Sequence, residues 1–258
     1  IGSKEAIRKF ATAAGAVVEE HSLASQFRCS GSDGYLAWLD NILEIRSTAN
    51  QLLDSSDYDF RIFDSPQTLH DAIESLNSSN KTRVVAGYCW PWLSKKDPTE
   101  DDIVIGDYRR QWNLSQDGSL WIIADRSVDQ VGCIHTCQGL EVDYIGVIIG
   151  PDLIVRNGRV VTSPDQRDKF DKSIRGYKKL TKSDPERAQR ETDAIIKNTY
   201  RTLMTRGMKG CYIYCTDPET AAYFQQKLAT RQSASGGAAS EAALEAEPRE
   251  VAEATEDS

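Results

Sequence analysis

The chain has 258 residues, of which 40% are hydrophobic, and it carries a formal net charge of −8. This length fits one large domain or two small ones with a real hydrophobic core. A membrane span is excluded, because no run of about 18 apolar residues occurs in the sequence.

The acidic charge is concentrated at the C-terminal end. Seven acidic residues and one arginine lie between Gln232 and Ser258, in a segment otherwise rich in Ala, Ser and Gly. Such a composition cannot bury a core, so we expect residues 231–258 to be a disordered acidic tail. Residues 1–230 are close to neutral, and the acidic total therefore does not exclude a nucleic-acid partner for the folded part.

The chain does not begin with methionine, and no charged-then-apolar leader precedes its first predicted helix. We therefore expect a fragment or a processed chain without a secretion signal. Reduced thiols in a cytoplasmic protein follow from that expectation.

Cysteines in two pairs raise the question of a metal. Cys133 and Cys137 flank His135, and Cys211 and Cys215 are four residues apart. One interpretation is a zinc site, but the spacing is unusual for a zinc finger and the contexts are apolar. The other is small buried side chains, and we expect no metal.

Helical and strand patterns alternate along the chain. The helices are predicted at Ser3–Ala14, from Ser32 or Asp33 through Leu43, at Ser65–Leu76, at Ser183–Thr205 and at Pro218–Leu228. The predicted apolar stripe of the Ser183–Thr205 helix consists of Ala194, Ile195, Thr199, Leu203 and Met204. The strands are predicted at Ala16–Glu20, Asp59–Phe63, Arg83–Tyr88, Leu120–Ala124, Val131–Thr136, Asp143–Ile149 and Cys211–Cys215, with a hairpin at Leu153–Val161 around Asn157-Gly158. This alternation indicates an α/β fold with a mostly parallel sheet and helices on both faces.

Two segments interrupt the alternation. Lys95–Ser119 is polar and predicts a long loop or insertion with one short strand. Just before it, Trp90 and Trp92 flank a proline; they can stack nucleobases or plug the end of the sheet, and we expect the plug.

The second segment, 167–190, carries nine Lys or Arg against four acids, with Phe170 interleaved. It can follow a phosphate backbone or be a solvated loop.

The stretch from Val131 to Gly150 combines two strand patterns with a polar turn between them. We expect this turn to place His135, Thr136, Gln138 and Glu141 near one edge of the sheet, where ligands bind in open α/β folds. A carboxylate such as Glu141 can accept hydrogen bonds from a ribose, and a His-Thr pair can bind a nucleic-acid phosphate.

A second stretch of the same build runs from Asn198 to Asp217, with Arg206 between a helix end and a strand. An arginine at such a position can neutralise charge on a phosphoryl group during transfer. The sequence has no Gly-x-x-x-x-Gly-Lys-[Ser/Thr] motif to hold a triphosphate. We therefore expect half of a nucleotide site here, with Arg28 as a further member, and the other half elsewhere.

Several long strings carry a resemblance to a known family. The segments SQFRCSGSDGYLAWLD, RVVAGYCWPW, HTCQGLEVDYIGVIIGPDL and NTYRTLMTRGMKGCYIY resemble the Schlafen group 3-like DNA/RNA helicase domain, over about Gly2 to Leu228. Three of them also resemble motifs IV, V and VI of superfamily 1 helicases, which are P-loop ATPases.

For the nucleotide, this resemblance implies a role for each matching position. Arg28 and Arg206 would contact the γ-phosphate as catalytic arginines, and Glu141 would contact the ribose. Gly139 would allow close approach of the nucleotide, and Thr205 belongs to the Thr-Arg pair beside it.

For the nucleic acid, the resemblance implies that His135 and Thr136 face the strand and that Gln138 links the two sites. Lys178, Lys179 and Lys182 of the basic segment are further candidate contacts. Many superfamily 1 enzymes have Lys at the position of Gln138 and Ala at that of Gly207, which makes duplex unwinding less certain than ATP hydrolysis.

The resemblance thus implies a RecA-like P-loop NTPase fold for residues 1–230, with insertions near 93–118 and 153–183. The chain would be the C-terminal motor domain of an ATP-dependent DNA or RNA helicase or translocase. ATP and Mg²⁺ would be held mainly by an N-terminal RecA-like domain of the same protein. A non-enzymatic nucleic-acid or protein binding module and an ATP-driven switch in a defence system are the alternatives.

Overall fold

The computed structural model describes residues 4–19, 29, 33–48, 53, 58–78, 81–113, 121–122, 124, 127–137, 139 and 141–228. The predicted acidic tail, 231–258, lies outside these residues. Where the chain is described, none of its helices combines the length and the apolar character needed to cross a membrane.

A five-stranded sheet, parallel throughout, forms the centre of the fold, with the strand order β1-β9-β6-β2-β5. Its strands are β1 (Asp59–Ile62), β2 (Thr82–Ala86), β5 (Val131–Gly132), β6 (Val142–Ile149) and β9 (Gly207–Cys215). Because all five strands run the same way, their amino ends share one edge of the sheet and their carboxyl ends share the other. The predicted parallel α/β sheet is confirmed.

In the part of the chain that the structure describes there are six α-helices: α1 (Lys4–Ala13), α2 (Asp33–Ile42), α3 (Pro66–Ser75), α4 (Tyr177–Ser183), α5 (Pro185–Met204) and α6 (218–228). Local capping fixes where two of them begin. The side chain of Ser65 accepts a hydrogen bond from the amide of Thr68, and that of Asp184 accepts one from the amide of Arg187. In both helices a proline occupies the first turn, where its missing amide costs nothing.

Both faces of the sheet are covered. Alternate residues of one strand point to opposite sides, so Val85 joins a core formed with α2, α5 and α6, and Val84 joins a core formed with α3. Burying both faces explains why the inner strands β2, β6 and β9 are largely apolar.

Two antiparallel hairpins lie outside the main sheet. One is β3 (Ile103–Ile105) with β4 (Tyr108–Arg110), and the other is β7 (Leu153–Arg156) with β8 (Arg159–Thr162). The second turns at Asn157 and Gly158, both with positive φ, as predicted. The first corrects the expectation of one short strand between 95 and 119, because a pair of three-residue strands forms there.

Three other local predictions are wrong. Residues 16–19 are not a strand: Val17 is 91% exposed, and β-branched residues form a strand only where a partner strand is present. Trp121 lies in a short 3-10 turn instead of a strand, since burial of an apolar run does not require extended backbone. On α5 the buried stripe includes Ile196 and Tyr200, whereas Ala194 is exposed and Ile195 half-buried.

The tryptophans pack as a plug. Trp90 and Trp92 are partly buried against the α3-side core, around the fully buried Trp112. Their ring centroids lie 6.5 and 6.2 Å from that of Trp112. In this arrangement the indole rings pack into the hydrophobic core and have little surface left for a ligand.

The cysteines behave as small core side chains. Cys133, Cys137, Cys211 and Cys215 are buried, and burial raises the pKa of each thiol. Among the described residues, no three His, Cys, Asp or Glu side chains group as a metal site would require.

The start of β9 contains a bulge. Val142 pairs with Gly207 and Tyr144 pairs with Gly210, so β9 carries one extra residue over this interval. A Cβ at Gly207 would lie 2.0 Å from the carbonyl oxygen of Gly210. The tight bend therefore accounts for glycine at the position where many superfamily 1 enzymes have alanine.

We expect Gly207→Ala to lower the free energy of unfolding by about 1–3 kcal/mol, because the added methyl group meets backbone that must move. Urea denaturation of the purified chain measures this. Gly34→Ala is the matched control: an added Cβ meets nothing within 4 Å, and alanine favours the helix by up to about 1 kcal/mol. Equal effects of the two substitutions would contradict the steric account.

Candidate nucleotide and nucleic-acid site

Arg206 and Glu141 precede two neighbouring strands of the sheet. Glu141 comes directly before β6, and Arg206 directly before β9. The amide of Val142 donates a hydrogen bond to the carbonyl oxygen of Arg206 at 3.1 Å. Two residues separated by 65 positions in sequence therefore lie side by side at the amino edge of the sheet.

The end of α5 sets the position of Arg206. The amide of Thr205 donates to the carbonyl oxygen of Arg201, and that of Arg206 to the carbonyl oxygen of Leu203, at 3.1 and 3.2 Å. Thr205 and Arg206 are buried, with 3% and 5% of their surface exposed. Burial raises the pKa of the Cys137 thiol, and the charge of Arg206 acts on it in the opposite direction. The charge of Arg206 thus acts on a residue at the start of the turn that leads to Glu141.

Arg28 and Gln138 lie outside the described residues, but the neighbour of Arg28 is informative. Cys29 is fully buried, and its Sγ lies 3.8 Å from the carbonyl oxygen of Thr205. The residue that follows Arg28 in sequence therefore lies next to the segment that carries Arg206.

Two tyrosines from the same part of the chain also hold that segment. The hydroxyl of Tyr35 donates to the carbonyl oxygen of Met204, and that of Tyr58 donates to the carbonyl oxygen of Gly207, both at 3.0 Å. The backbone on each side of Arg206 is thereby fixed by buried hydrogen bonds.

The turn before β6 exposes its glycine and its acid. Gly139 has a φ of +77°, a conformation that glycine adopts at little cost, and a Cβ there would meet nothing within 4 Å. Gly139 and Glu141 are both exposed. This turn is therefore the accessible surface beside the buried Arg206.

His135 and Thr136 are placed differently. The ring of His135 lies 6.1 Å from that of Tyr88, which follows the carboxyl end of β2. The hydroxyl of Thr136 accepts a hydrogen bond from the amide of Cys133 and lies 2.9 Å from its carbonyl oxygen, so it closes a tight turn.

The prediction that His135 and Glu141 share one edge of the sheet is wrong. β5 and β6 are parallel and β2 lies between them, so the connection from 133 to 141 must run back from the carboxyl side to the amino side. The sequence pattern of strand, turn and strand suggested adjacent strands, which this sheet order does not provide.

A buried ion cluster near His135 was missed by sequence reasoning. The Nε of Arg167 lies 3.3 Å from Asp152 Oδ2 and 3.0 Å from Asp171 Oδ2, and all three side chains are fully buried. Tyr200 of α5 donates a hydrogen bond to Asp152. Arg167 is the first residue of the basic segment, and no local pattern distinguishes it from its exposed neighbours.

This cluster connects to His135. His135 Nε2 lies 3.5 Å from Asp171 Oδ1, and 46% of the imidazole side chain is exposed. Burial pushes the pKa of Asp171 upward, but hydrogen bonding to His135 and the charge of Arg167 outweigh it and the pKa is lowered. Asp171 therefore remains a carboxylate that orients the histidine.

The three candidate lysines of the basic segment lie on α4. Lys178, Lys179 and Lys182 are exposed, and Lys178 Nζ lies 3.6 Å from Asp165 Oδ1. Much of the segment is folded into 3-10 turns, α4 and the first turn of α5, so it is more ordered than a plain loop. Its use as a phosphate contact and its role as a solvated surface both stay predictions. Three cationic side chains on one short helix are available to a polyanion.

The architecture is that of an α/β protein with an open parallel sheet and helices on both faces. Over residues 1–217 the chain matches the family described as Schlafen group 3, DNA/RNA helicase domain, and it belongs to that family.

A curated relative is the uncharacterized protein YPL245W of Saccharomyces cerevisiae, which is 26% identical over a region covering 77% of this chain and 46% of the relative. The chain thus spans about half the length of this relative. No solved structure matches the chain.

For the α4 lysines, we expect replacement of Lys178, Lys179 and Lys182 by Gln to flatten the salt dependence of binding to single-stranded nucleic acid. Each lost phosphate contact lowers the slope of log affinity against log salt by about 0.7, or about 2 for all three. Fluorescence anisotropy over a salt series measures the slope. The matched control replaces the exposed Lys9, Lys81 and Lys96; an identical slope in both triple variants would exclude α4 from the contact surface.

Proposed function

We propose that this chain is the second RecA-like domain of an ATP-dependent motor that moves along or unwinds DNA or RNA. ATP binds between this chain and another RecA-like domain. That other domain holds Mg²⁺ and most of the triphosphate. The observation that carries the proposal is the pairing of Arg206 and Glu141 at the amino ends of adjacent strands.

The chain needs such a second domain to form a complete nucleotide site. It has no Walker A motif of its own, and a triphosphate requires backbone amides and a lysine to cradle it. The relative in yeast is about twice as long as the region that it shares with this chain. A protein of that size has room for a second domain of similar length.

In the proposed site the two arginines act on the γ-phosphate. Arg206 and Arg28 neutralise the charge of the transferring phosphoryl group, Glu141 accepts hydrogen bonds from the ribose, and Gly139 lets the nucleotide approach the backbone. Rigid backbone around Arg206 supports this role, because a preorganised charge needs little rearrangement in the transition state.

The burial of Arg206 adds a step to the mechanism. Because only 5% of this residue is exposed, a phosphate reaches the guanidinium only if neighbouring segments shift. We propose that ATP binding and domain closure move the turn before β6, while the backbone of Arg206 stays in place. The exposed Gly139 is a suitable point for such a change, since glycine tolerates a wide range of backbone angles.

The same turn offers a route from ATP to nucleic acid. It begins next to His135 and Thr136 on the carboxyl side of the sheet and ends at Glu141 on the amino side. A shift of the turn at the nucleotide would therefore displace the nucleic-acid contacts at its other end. Repeated over cycles of hydrolysis, this displacement would step the protein along a strand.

We expect Arg206→Ala, made in the longer protein, to lower kcat for ATP hydrolysis by about 10³-fold or more, since arginine fingers contribute about 10³–10⁵ in rate. A coupled assay of ATP turnover measures it. Arg206→Lys keeps the positive charge but loses the planar fork of the guanidinium, so we expect it to lower kcat as well. A low kcat in this conservative variant could not be attributed to the misfolding that the alanine variant risks.

Arg159→Ala is the matched control, because Arg159 is 76% exposed and pairs with Glu44 on another part of the surface. ATP turnover in the Arg206 variants equal to that of this control would remove the catalytic assignment. ATP turnover in the wild type without strand displacement would favour a switch, and no turnover at all would favour a binding module.

A further inference from the structure

A cavity of about 550 Å³ lies within the basic segment, between residues 164 and 178. Five cationic and three anionic side chains line it, together with the rings of Phe170 and Tyr177. The proposed ATP site lies at the opposite edge of the sheet, so this cavity serves a different purpose.

The anionic side chains of the cavity are already engaged. Asp165 accepts a hydrogen bond from Tyr177, Asp168 accepts one from the amide of Phe170 at 2.8 Å, and Asp171 holds Arg167. By contrast, Lys169, Lys172 and Arg175 have no carboxylate within 4.0 Å among the residues that the structure describes. The cavity rim therefore carries available positive charge.

Phe170 is the unusual member of the wall. Its surface is 64% exposed, the second-highest exposure of any described aromatic side chain. Lys169 Nζ lies 5.1 Å from the centre of its ring. An exposed ring surrounded by cations is the combination that single-stranded nucleic acids use, with bases on the ring and phosphates on the cations.

We propose that this cavity binds one unstacked base of a single nucleic-acid strand, with Phe170 stacking on the base. Lys169, Lys172 and Arg175 contact the flanking phosphates. A duplex does not fit this arrangement, because its bases are already stacked and paired.

The charges in the cavity wall favour a base over a phosphate in the interior. Arg167 lines the cavity, but its side chain is fully buried, and its Nε lies 3.3 and 3.0 Å from the carboxyl groups of Asp152 and Asp171. Its positive charge is therefore already compensated. The available cations lie on the rim, where they meet the flanking phosphates, and the interior is left to the neutral base.

The cavity is adjacent to the candidate nucleic-acid contacts. Asp171 lines the cavity and also lies 3.5 Å from His135 Nε2. A strand that passes His135 therefore lies next to the cavity. The inference rests on the proposed role in nucleic-acid binding, but it does not depend on ATP hydrolysis.

The test measures binding of this chain to labelled single strands of about 20 nucleotides, oligo(dA) and oligo(rA), and to an abasic strand of equal length. We expect Phe170→Ala to weaken binding to the base-containing strands at least fivefold, since aromatic stacking contributes about 1–3 kcal/mol per base. Phe170→Trp should restore it, and binding to the abasic strand should not change. If Phe170→Ala weakens binding more for one of oligo(dA) and oligo(rA) than for the other, that strand type is the preferred nucleic acid.

Phe10→Ala is the matched control, because Phe10 is 76% exposed on α1 and lies outside the cavity. Wild-type affinity of Phe170→Ala for oligo(dA) and oligo(rA) would overturn the proposal, as would an equal loss on the abasic strand. Competition by AMP at the same concentration as the strand would assign the cavity to free nucleotides instead. ATP turnover of the longer protein tests the motor role separately, so the two failures are distinguishable.

Discussion

The contact between the amino ends of β6 and β9 determines the rest of the candidate site. One backbone hydrogen bond, from Val142 to Arg206, joins the strand that follows Glu141 to the residue directly before β9. The bulge at Gly207 lets β9 bend at this point, and Tyr35 and Tyr58 fix the backbone on either side. A change to this corner would therefore alter the packing of α5 and the position of both charged residues together.

The proposed ligand contacts are distributed over two edges of one sheet. The proposed nucleotide contacts lie at the amino edge, and His135, the Arg167 cluster and the cavity lie toward the carboxyl edge. The connection between β5 and β6 is the covalent link between them. Tyr200 provides a second link, because it bonds Asp152 of the cluster and belongs to the helix that ends next to Arg206. Separating two ligands in this way lets a protein couple them through packed elements instead of direct contact.

Much of the fold was predictable because each face of the sheet is buried. Continuous apolar runs such as Asp143–Ile149, and the capping signals at Ser65 and Asp184, are set by local chemistry. The sequence could not reveal the order of the strands, and it therefore misplaced His135 relative to Glu141. It also could not show that Trp121 lies in a 3-10 turn, since an apolar run is compatible with either conformation.

The candidate site was predictable only in part, for a similar reason. The positions of Glu141 and Arg206 before strands followed from pattern, but the burial of Arg206 depends on tertiary packing. Arg167 shows the limit more clearly: a residue counted as part of an exposed basic segment is enclosed by Asp171, four residues further along the chain, and by Asp152, which precedes β7. The tertiary packing that buries all three side chains leaves no periodic signal in a single sequence.

The most direct test of the account is an experimental structure of the longer protein with a non-hydrolysable ATP analogue and Mg²⁺. The account predicts that the guanidinium of Arg206 lies within hydrogen-bonding distance, about 3 Å, of a γ-phosphate oxygen, with Glu141 at the ribose. A nucleotide bound elsewhere, with Arg206 still enclosed beneath an unchanged turn before β6, would contradict it.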